Sequence, residues 1–411
     1  MGNLLGRDCK IGIGLESTYG TAVAATQLLD ARTDTVASKI ERVASRSLRA
    51  SRYSRAGVPG QEVIDGAIAV EMSPICKLLW QMILGSPAST PATTVIGTGK
   101  LTAVSTTATV ETTDPHGLTS GASVTIAGAT QTEYNGTYTI TVTDATHFTY
   151  TFAGSATTPA TTTTTITFHT SVSHVYTATE PLPFSHVKAM GAKDVSGNRI
   201  FRHSCKVNEA TLRAELDELA MLDLNVVGIG SSTNDNTTAT DTALFGASGY
   251  PTVAPFYFRE AAVSIGGVTT YDVTNAAVGV NNNLIPKRIL NGALAAAGHV
   301  GGEALVTFDL ATIWQSDALM RLGFGVATGA ALPFGPSGET LTGAVQLKYT
   351  GPHIVGTTTH YELTLAAPVC EFEVSEPAIE GMEYITQAVK ATARYNSGGS
   401  AFTVTLVNDE A

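Results

Sequence analysis

Two hydrophobic periods share the chain, and period two dominates. Phe256-Tyr257-Phe258 and Ala261-Ala262-Val263-Ser264-Ile265 alternate ahead of Gly266-Gly267. The same spacing recurs in Leu347/Tyr349, Tyr361/Leu363/Leu365 and Phe402/Val404/Leu406. Such alternation turns one side of a strand to a core and the other to solvent. A helical period interrupts it at Ile75, Leu78, Leu79, Met82 and Ile83, which fall at i, i+3, i+4, i+7 and i+8. Ser73-Pro74 supplies an N-cap followed by proline at the first helical position, and Gly85 a stop. A shorter version runs from Ser316-Asp317 through Leu319, Met320 and Leu322 to Gly325. Each half of the chain therefore predicts a β-sandwich or open barrel with one flanking α-helix.

Inside the first half, and again between the halves, the pattern changes. Residues 96–168 are rich in threonine, valine and glycine and read as all β: Val124/Ile126, Tyr138/Ile140/Val142 and Phe148/Tyr150/Phe152 alternate. Asn135-Gly136 between two of these runs predicts a type I′ hairpin, which needs two positive φ values. A block this small is marginal alone and gains from attachment to a larger body. Residues 229–250, polar and rich in Gly, Ser, Thr and Asn, read as a linker.

The outer regions resemble each other. Val58-Pro59-Gly60-Gln61-Glu62-Val63-Ile64 matches Val300-Gly301-Gly302-Glu303-Ala304-Leu305, and aligning Glu62 with Glu303 brings Leu78-Leu79 onto Leu319-Met320. Cys205-Lys206-Val207-Asn208-Glu209 matches Cys370-Glu371-Phe372-Glu373. The two spacings differ by about the length of the threonine-rich block, as expected of a duplicated domain with an insertion in its first copy. The expected organisation is a discontinuous first domain (1–95 and 169–228), an inserted small β-sandwich (96–168), a linker (229–250) and a second domain (251–411).

Composition narrows the function classes. Only 14% of the residues are charged, well under the ~25% of ordinary globular chains, which suggests a surface partly covered by other copies. The net charge of −11 opposes sequence-specific nucleic-acid binding. Cys9, Cys76, Cys205 and Cys370 lie far apart and read as reduced thiols rather than a zinc or disulfide framework. Met1–Lys10 carries Arg7, Asp8 and Lys10 without an apolar core, so no secretory signal is expected. The stretch Ile75–Leu84 is too short to span a bilayer, so no membrane partner is expected.

Catalytic patterns are missing. Gly12-Ile13-Gly14 lacks the third glycine and the βαβ context of a dinucleotide site. His169, His174 and His186 have no metal-ligand spacing and read as surface or loop histidines. No carboxylate pair is localisable as a general acid and base. The chain is expected to be no enzyme and to carry no cofactor and no metal.

Two charge features remain. Lys39, Arg42, Arg46, Arg49, Arg52 and Arg55 form a basic ladder between Ser38 and Gly57. It reads either as a solvated loop or as one that docks on acidic groups of a neighbouring subunit through bidentate pairs. Glu209, Glu215, Asp217, Glu218 and Asp223 crowd the end of the first copy, and Glu371, Glu373, Glu376, Glu380 and Glu383 the end of the second. Strand alternation places Arg213, Glu215 and Asp217 on one face with the leucines opposite. That face is either ordinary solvent surface or a negatively charged wall.

Several stretches resemble the major tail tube proteins of long-tailed bacteriophages: Gly14-Leu15-Glu16-Ser17-Thr18-Tyr19-Gly20-Thr21, Ala261-Ala262-Val263-Ser264-Ile265-Gly266-Gly267, Asn281-Asn282-Asn283-Leu284 and the last strand Phe402–Asp409. The insert resembles the immunoglobulin-like modules that decorate phage tails. The resemblance implies a mainly β fold with two tandem tail-tube-type domains and a small Ig-like insert. It implies a structural virion protein, made in the host bacterial cytoplasm, whose stacked rings form the DNA conduit of the tail. A duplicated chain implies trimeric rings with pseudo-sixfold symmetry. Implied partners are further copies of itself, tail terminator and distal tail proteins, the tape measure protein and double-stranded DNA in non-specific passage. Glu215, Asp217, Glu371, Glu373 and Glu383 become candidate bore-lining residues, and Arg42, Arg46, Arg49, Arg52 and Arg55 a candidate ring-stacking loop. An outward insert would crowd a sheath, so a non-contractile tail is expected. The alternative is a β-rich adhesin or carbohydrate-binding surface protein.

Overall fold

Alternation governs the observed strands, and the described residues are mainly β with two short α-helices. The computed structural model describes all residues except 1–8, 45–56, 163–164, 191–198, 229–231, 234–244, 246–248, 267–271, 288–297, 325–341, 378, 380–383 and 411. Two compact units are distinguished, one formed by 1–86, 176–347 and 365–403, the other by 87–175, 348–364 and 404–411.

In the first unit one antiparallel sheet carries the organisation. Strand Ala37–Val43 pairs with Val58–Glu71, which pairs with Met221–Gly228, which pairs with Arg199–Glu215. Arg199–Glu215 then meets Val273–Asn281, followed by Leu305–Ile313, Thr386–Ala393 and the end of His360–Val374. One side of the sheet is apolar: Ile68, Leu224, Leu212, Val278, Phe308 and Val389 are all buried. Helix Lys77–Leu84 packs against Arg199–Glu215 and buries Leu79, Trp80, Met82 and Ile83, each contributing about 1.5–3 kcal/mol by removal from water.

The pairings recur at a fixed shift. Ala31 faces Val70 and, past a bulge, Asp34 faces Ile68. Val273 faces Thr312 and, past a bulge at the same place, Ala276 faces Leu310. Both sets are related by 242 positions (273 − 31). The same shift carries the pair Ala37–Asp65 onto Gly279–Thr307 and Val43–Val58 onto Ile285–Val300. The sequence match of Glu62 with Glu303 is therefore one residue out. A one-residue slip would reverse every side chain, whereas the shift of 242 carries buried Ile64, Ile68 and Val70 onto buried Val306, Leu310 and Thr312. In the following hairpins Cys205 faces Gly228 and Cys370 faces Ala393. A bulge between Val207 and Glu209 then adds one residue to the first hairpin, so Glu209, facing Asn225, is equivalent to Glu373, facing Lys390.

The helix boundaries depart from the sequence expectation. The first helix starts at Lys77, not directly after Ser73-Pro74. Ser73 is buried and its hydroxyl donates to the Val253 carbonyl at 2.9 Å, so it is not a helix cap. Gly85 does end the helix, with φ +93° and its N–H on the Gln81 carbonyl. The second helix spans Ala318–Phe324, and Asp317 pairs with Arg321 at 2.6 Å. No disulfide joins the four cysteines.

The second unit contains a sandwich of two four-stranded sheets. One holds Thr94–Ile96, Ser123–Ala127, Gly136–Thr139 and Ile166–His169; the other holds Leu101–Val104, Thr107–Glu111, Thr141–Val142 and His147–Thr151. The chain changes sheets at buried Ile140, and Val124, Ile126, Phe148, Tyr150 and Phe168 fill the space between. Asn135-Gly136 is not a type I′ turn, because Asn135 has φ −81°. Instead the Asn135 side chain accepts from the Ala129 N–H at 3.0 Å and donates to the Ala129 carbonyl at 2.8 Å, as a strand neighbour would. The turn at Gly356 belongs to this unit: its carbonyl accepts from the Thr119 N–H at 2.9 Å, and its φ is +76°. A Cβ at Gly356 would lie 2.5 Å from that of Ala122, so the sandwich needs glycine there to sit against the turn.

Candidate functional site

The outer side of the central sheet collects the charge. Residues that alternate with the buried set point away from the core, and register aligns them in rows. One row crosses the strands as Glu71, Met221, Arg213, Ala277, Asp309, Lys390 and Glu373. The next holds Ala69, Asp223, Thr211, Gly279, Thr307, Thr392 and Glu371. Glu215 lies one step further along, opposite Asn275. Several cations here are bound to carboxylates: Arg213 pairs with Asp223, Arg394 with Glu371 at 2.5 Å, and Arg32 with Glu71 at 3.0 Å. A shallow depression of about 630 Å³ lies on this face, lined in part by Arg213, Glu215, Asp309, Glu373 and Lys390. The uncharged positions are short, mostly Ala, Gly and Thr. The face carries more acid than base.

Of the predicted acidic residues, the sheet brings Glu215, Glu371 and Glu373 onto this face. Asp217 does not join them: the strand ends at Glu215, and Asp217 sits in a turn with φ +61°. Leu216 is correspondingly 56% exposed rather than in the core. Glu383 lies outside the described residues. Sequence reading missed Asp309, Glu71 and Lys390, which reach the face from distant strands. Alternation with Phe308 and Leu310 would have assigned Asp309.

Among the basic residues, Lys39 and Arg42 lie on strand Ala37–Val43, and Val43 pairs with Val58. Arg46, Arg49, Arg52 and Arg55 lie outside the described residues.

Two of the histidines hold core polar groups. His186 is fully buried, with Nε2 3.0 Å from Asp34, and burial lowers its pKa. Lys188 also reaches Asp34, at 3.0 Å. His174, likewise buried, meets Ser89 at 2.7 Å and Asn408 at 3.1 Å. His169 is half-buried, and burial lowers its pKa too. The surface-or-loop expectation thus fails for His174 and His186, which satisfy core polar groups. Buried Glu16 accepts from Ser185 Oγ at 2.9 Å and from the Ser204 N–H at 2.7 Å, which gives the Gly14–Thr21 motif a packing role. Cys205 is buried, and burial pushes its thiol up to about 12, which disfavours the reactive thiolate. Among the described residues no group of three His, Cys, Asp or Glu could hold a metal ion, and no helix is long and apolar enough to cross a membrane.

The Asn281-Asn282-Asn283 motif fastens the middle of the sheet. Asn281 Nδ2 donates to Glu209 at 2.8 Å. Buried Asn282 donates to the carbonyls of Ile83 (3.1 Å) and Val207 (3.0 Å), and its N–H to the Asn208 carbonyl. The Leu284 N–H reaches Asn208 Oδ1 at 2.7 Å. The bulged residue Asn208 thus serves as the catch for the neighbouring strand.

A family model described as phage tail tube protein matches residues 6–393. No curated protein matches the chain. Among solved structures the chain is similar to the phage phi92 endosialidase, at 12% identity, covering 88% of this chain and 58% of that one, with a TM-score of 0.18. A likeness that slight carries no argument.

Proposed function

The chain belongs to the phage tail tube protein family, and from that premise we propose that three copies close into each ring of the tube, two tube-type domains per chain. It is a structural protein of the virion tail and assembles with itself into a tube. The observation that carries the threefold reading is the repeated register: a strand–helix–hairpin set recurs at shifts of 242 and 165 positions within one continuous sheet. A ring built from six such sets needs three chains.

The outer face of that sheet is then the lining of the bore. Glu215, Glu371 and Glu373, with Asp309 and Glu71, repel a DNA duplex, over a distance set by a screening length of about 8 Å at physiological salt. The short Ala, Gly and Thr side chains between them offer little surface to hold it. The segment holding Arg42, Arg46, Arg49, Arg52 and Arg55 stacks one ring on the next, and the insert projects outward because it would block a bore. Tail terminator, distal tail and tape measure proteins are the further partners of this reading. Cryo-electron microscopy of the assembled tube tests it: three chains per layer, with the face bearing Glu215 and Asp309 turned inward, is the expected result. Six chains per layer, or that face turned outward, overturns it.

A further inference from the structure

The joint between the two repeated strand sets inside one chain specifies a joint between chains. In that internal joint, residues 209–215 of Arg199–Glu215 pair with Val273–Asn281, with Glu209 opposite Asn281 and hydrogen-bonded to it. Each partner has an equivalent elsewhere in the molecule. The shift of 242 places 31–39 where 273–281 stands, and Glu373 where Glu209 stands. In the described structure Ala31–Asp34 and Ala37–Val43 pair with Val58–Glu71. Their opposite edge corresponds to the edge of Val273–Asn281 that receives residues 209–215. Likewise Cys370–Val374 pairs with Thr386–Ala393, and its opposite edge, from Glu373 on, corresponds to the edge at 209–215. Thr33, Thr35, Lys39, Glu373, Ser375 and Glu376 are exposed in the single chain.

We infer that the edge of Ala31–Asp34 and Ala37–Val43 receives residues 373–377 of a second copy of this chain, in the register that sets Glu373 opposite Lys39. The internal Glu209–Asn281 hydrogen bond is thereby replaced between chains by an ion pair of opposite charge, the favourable cross-strand combination. The contact is head-to-tail: each chain presents one edge of each kind, so repetition continues the sheet from chain to chain and closes only where the rotation permits. An edge left uncovered would be a template for irregular pairing. This inference rests on the self-assembling reading above, but it fixes an edge and a register rather than the number of chains.

The test is a cysteine pair, K39C with E373C, in a C9S background, because the other three native cysteines are buried. After mild oxidation, the double variant is expected to run on a non-reducing gel as a series of covalent multimers, while K39C or E373C alone stays monomeric. A double variant that stays monomeric overturns the inference. If electron microscopy still shows rings, the edge assignment alone has failed. Covalent multimers without tubes would instead sink the tube reading and leave the edge standing. Charge exchange gives a second measure that does not depend on disulfide geometry. K39E or E373K alone is expected to raise the protein concentration needed for half-assembly about fivefold, and the two together to restore it. Equal loss in the singles and the double overturns the register.

Discussion

At the scale of single residues, the positions that matter most are those whose polar groups have no second option. Asn282 spans the carbonyls of Ile83 and Val207 inside the core. An Asn282→Leu variant keeps the branched shape but leaves both acceptors buried without that donor. The expected loss is about 1–3 kcal/mol, read as a lower midpoint in urea. Gly85 has φ +93°, and a Cβ there would lie 2.1 Å from Thr179 Oγ1, which caps the helix by donating to the Leu84 carbonyl. Gly85→Ala is therefore expected to cost at least about 1–2 kcal/mol from the left-handed backbone alone, visible in thermal melting. His299 is buried beside Tyr19, and burial, followed by the nearby Lys206 charge, lowers its pKa to about 4. A histidine depressed in the folded state contributes stability above its unfolded pKa of about 6.5, and that contribution is lost as pH falls towards 4. His186 is shifted the same way. The melting temperature should fall between pH 6.5 and 4, and His299→Gln should flatten part of that fall.

At the scale of elements, strands were far more legible than their ends. The alternation in Tyr361/Leu363/Leu365 and Phe402/Val404/Leu406 depends only on which side of a strand meets the core, and the structure buries all six side chains. The helix at Lys77–Leu84 showed in its apolar stripe, yet its start did not, because the Ser73 hydroxyl is taken by a carbonyl 180 positions away. Asn135-Gly136 failed as a hairpin signal for a related reason: the Asn135 amide finds the Ala129 backbone and holds φ negative. Asn135→Ala removes both of those bonds. Faster amide hydrogen exchange at Ala129 and along Ser123–Ala127 is the expected outcome, with no change at Val273–Asn281.

At the scale of the whole molecule, charge on one face is the quantity to test. Reversing two carboxylates there, Glu215→Lys with Asp309→Lys, is expected to leave tubes intact in microscopy but to make them retain duplex DNA at physiological salt. Retention should fall steeply as salt rises, and infectivity should drop with it. Neither residue belongs to the edge that residues 373–377 meet, so the two ideas stand or fall apart.

The sequence by itself determined the β character and the apolar stripe of the first helix, and it raised the expectation of a repeat and of a threonine-rich block. These follow from local periodicity and composition, which neighbours in the chain decide. It also carried the match of Cys205 with Cys370, because both lie on the core side of equivalent hairpins. Only the tertiary structure decided that the repeat runs at 242 rather than 241, since register is set by which side chains the core accepts. Only the tertiary structure, too, brought Asp309 and Glu71 onto the face that holds Glu215, for hydrogen bonding across a sheet joins strands that the chain keeps far apart.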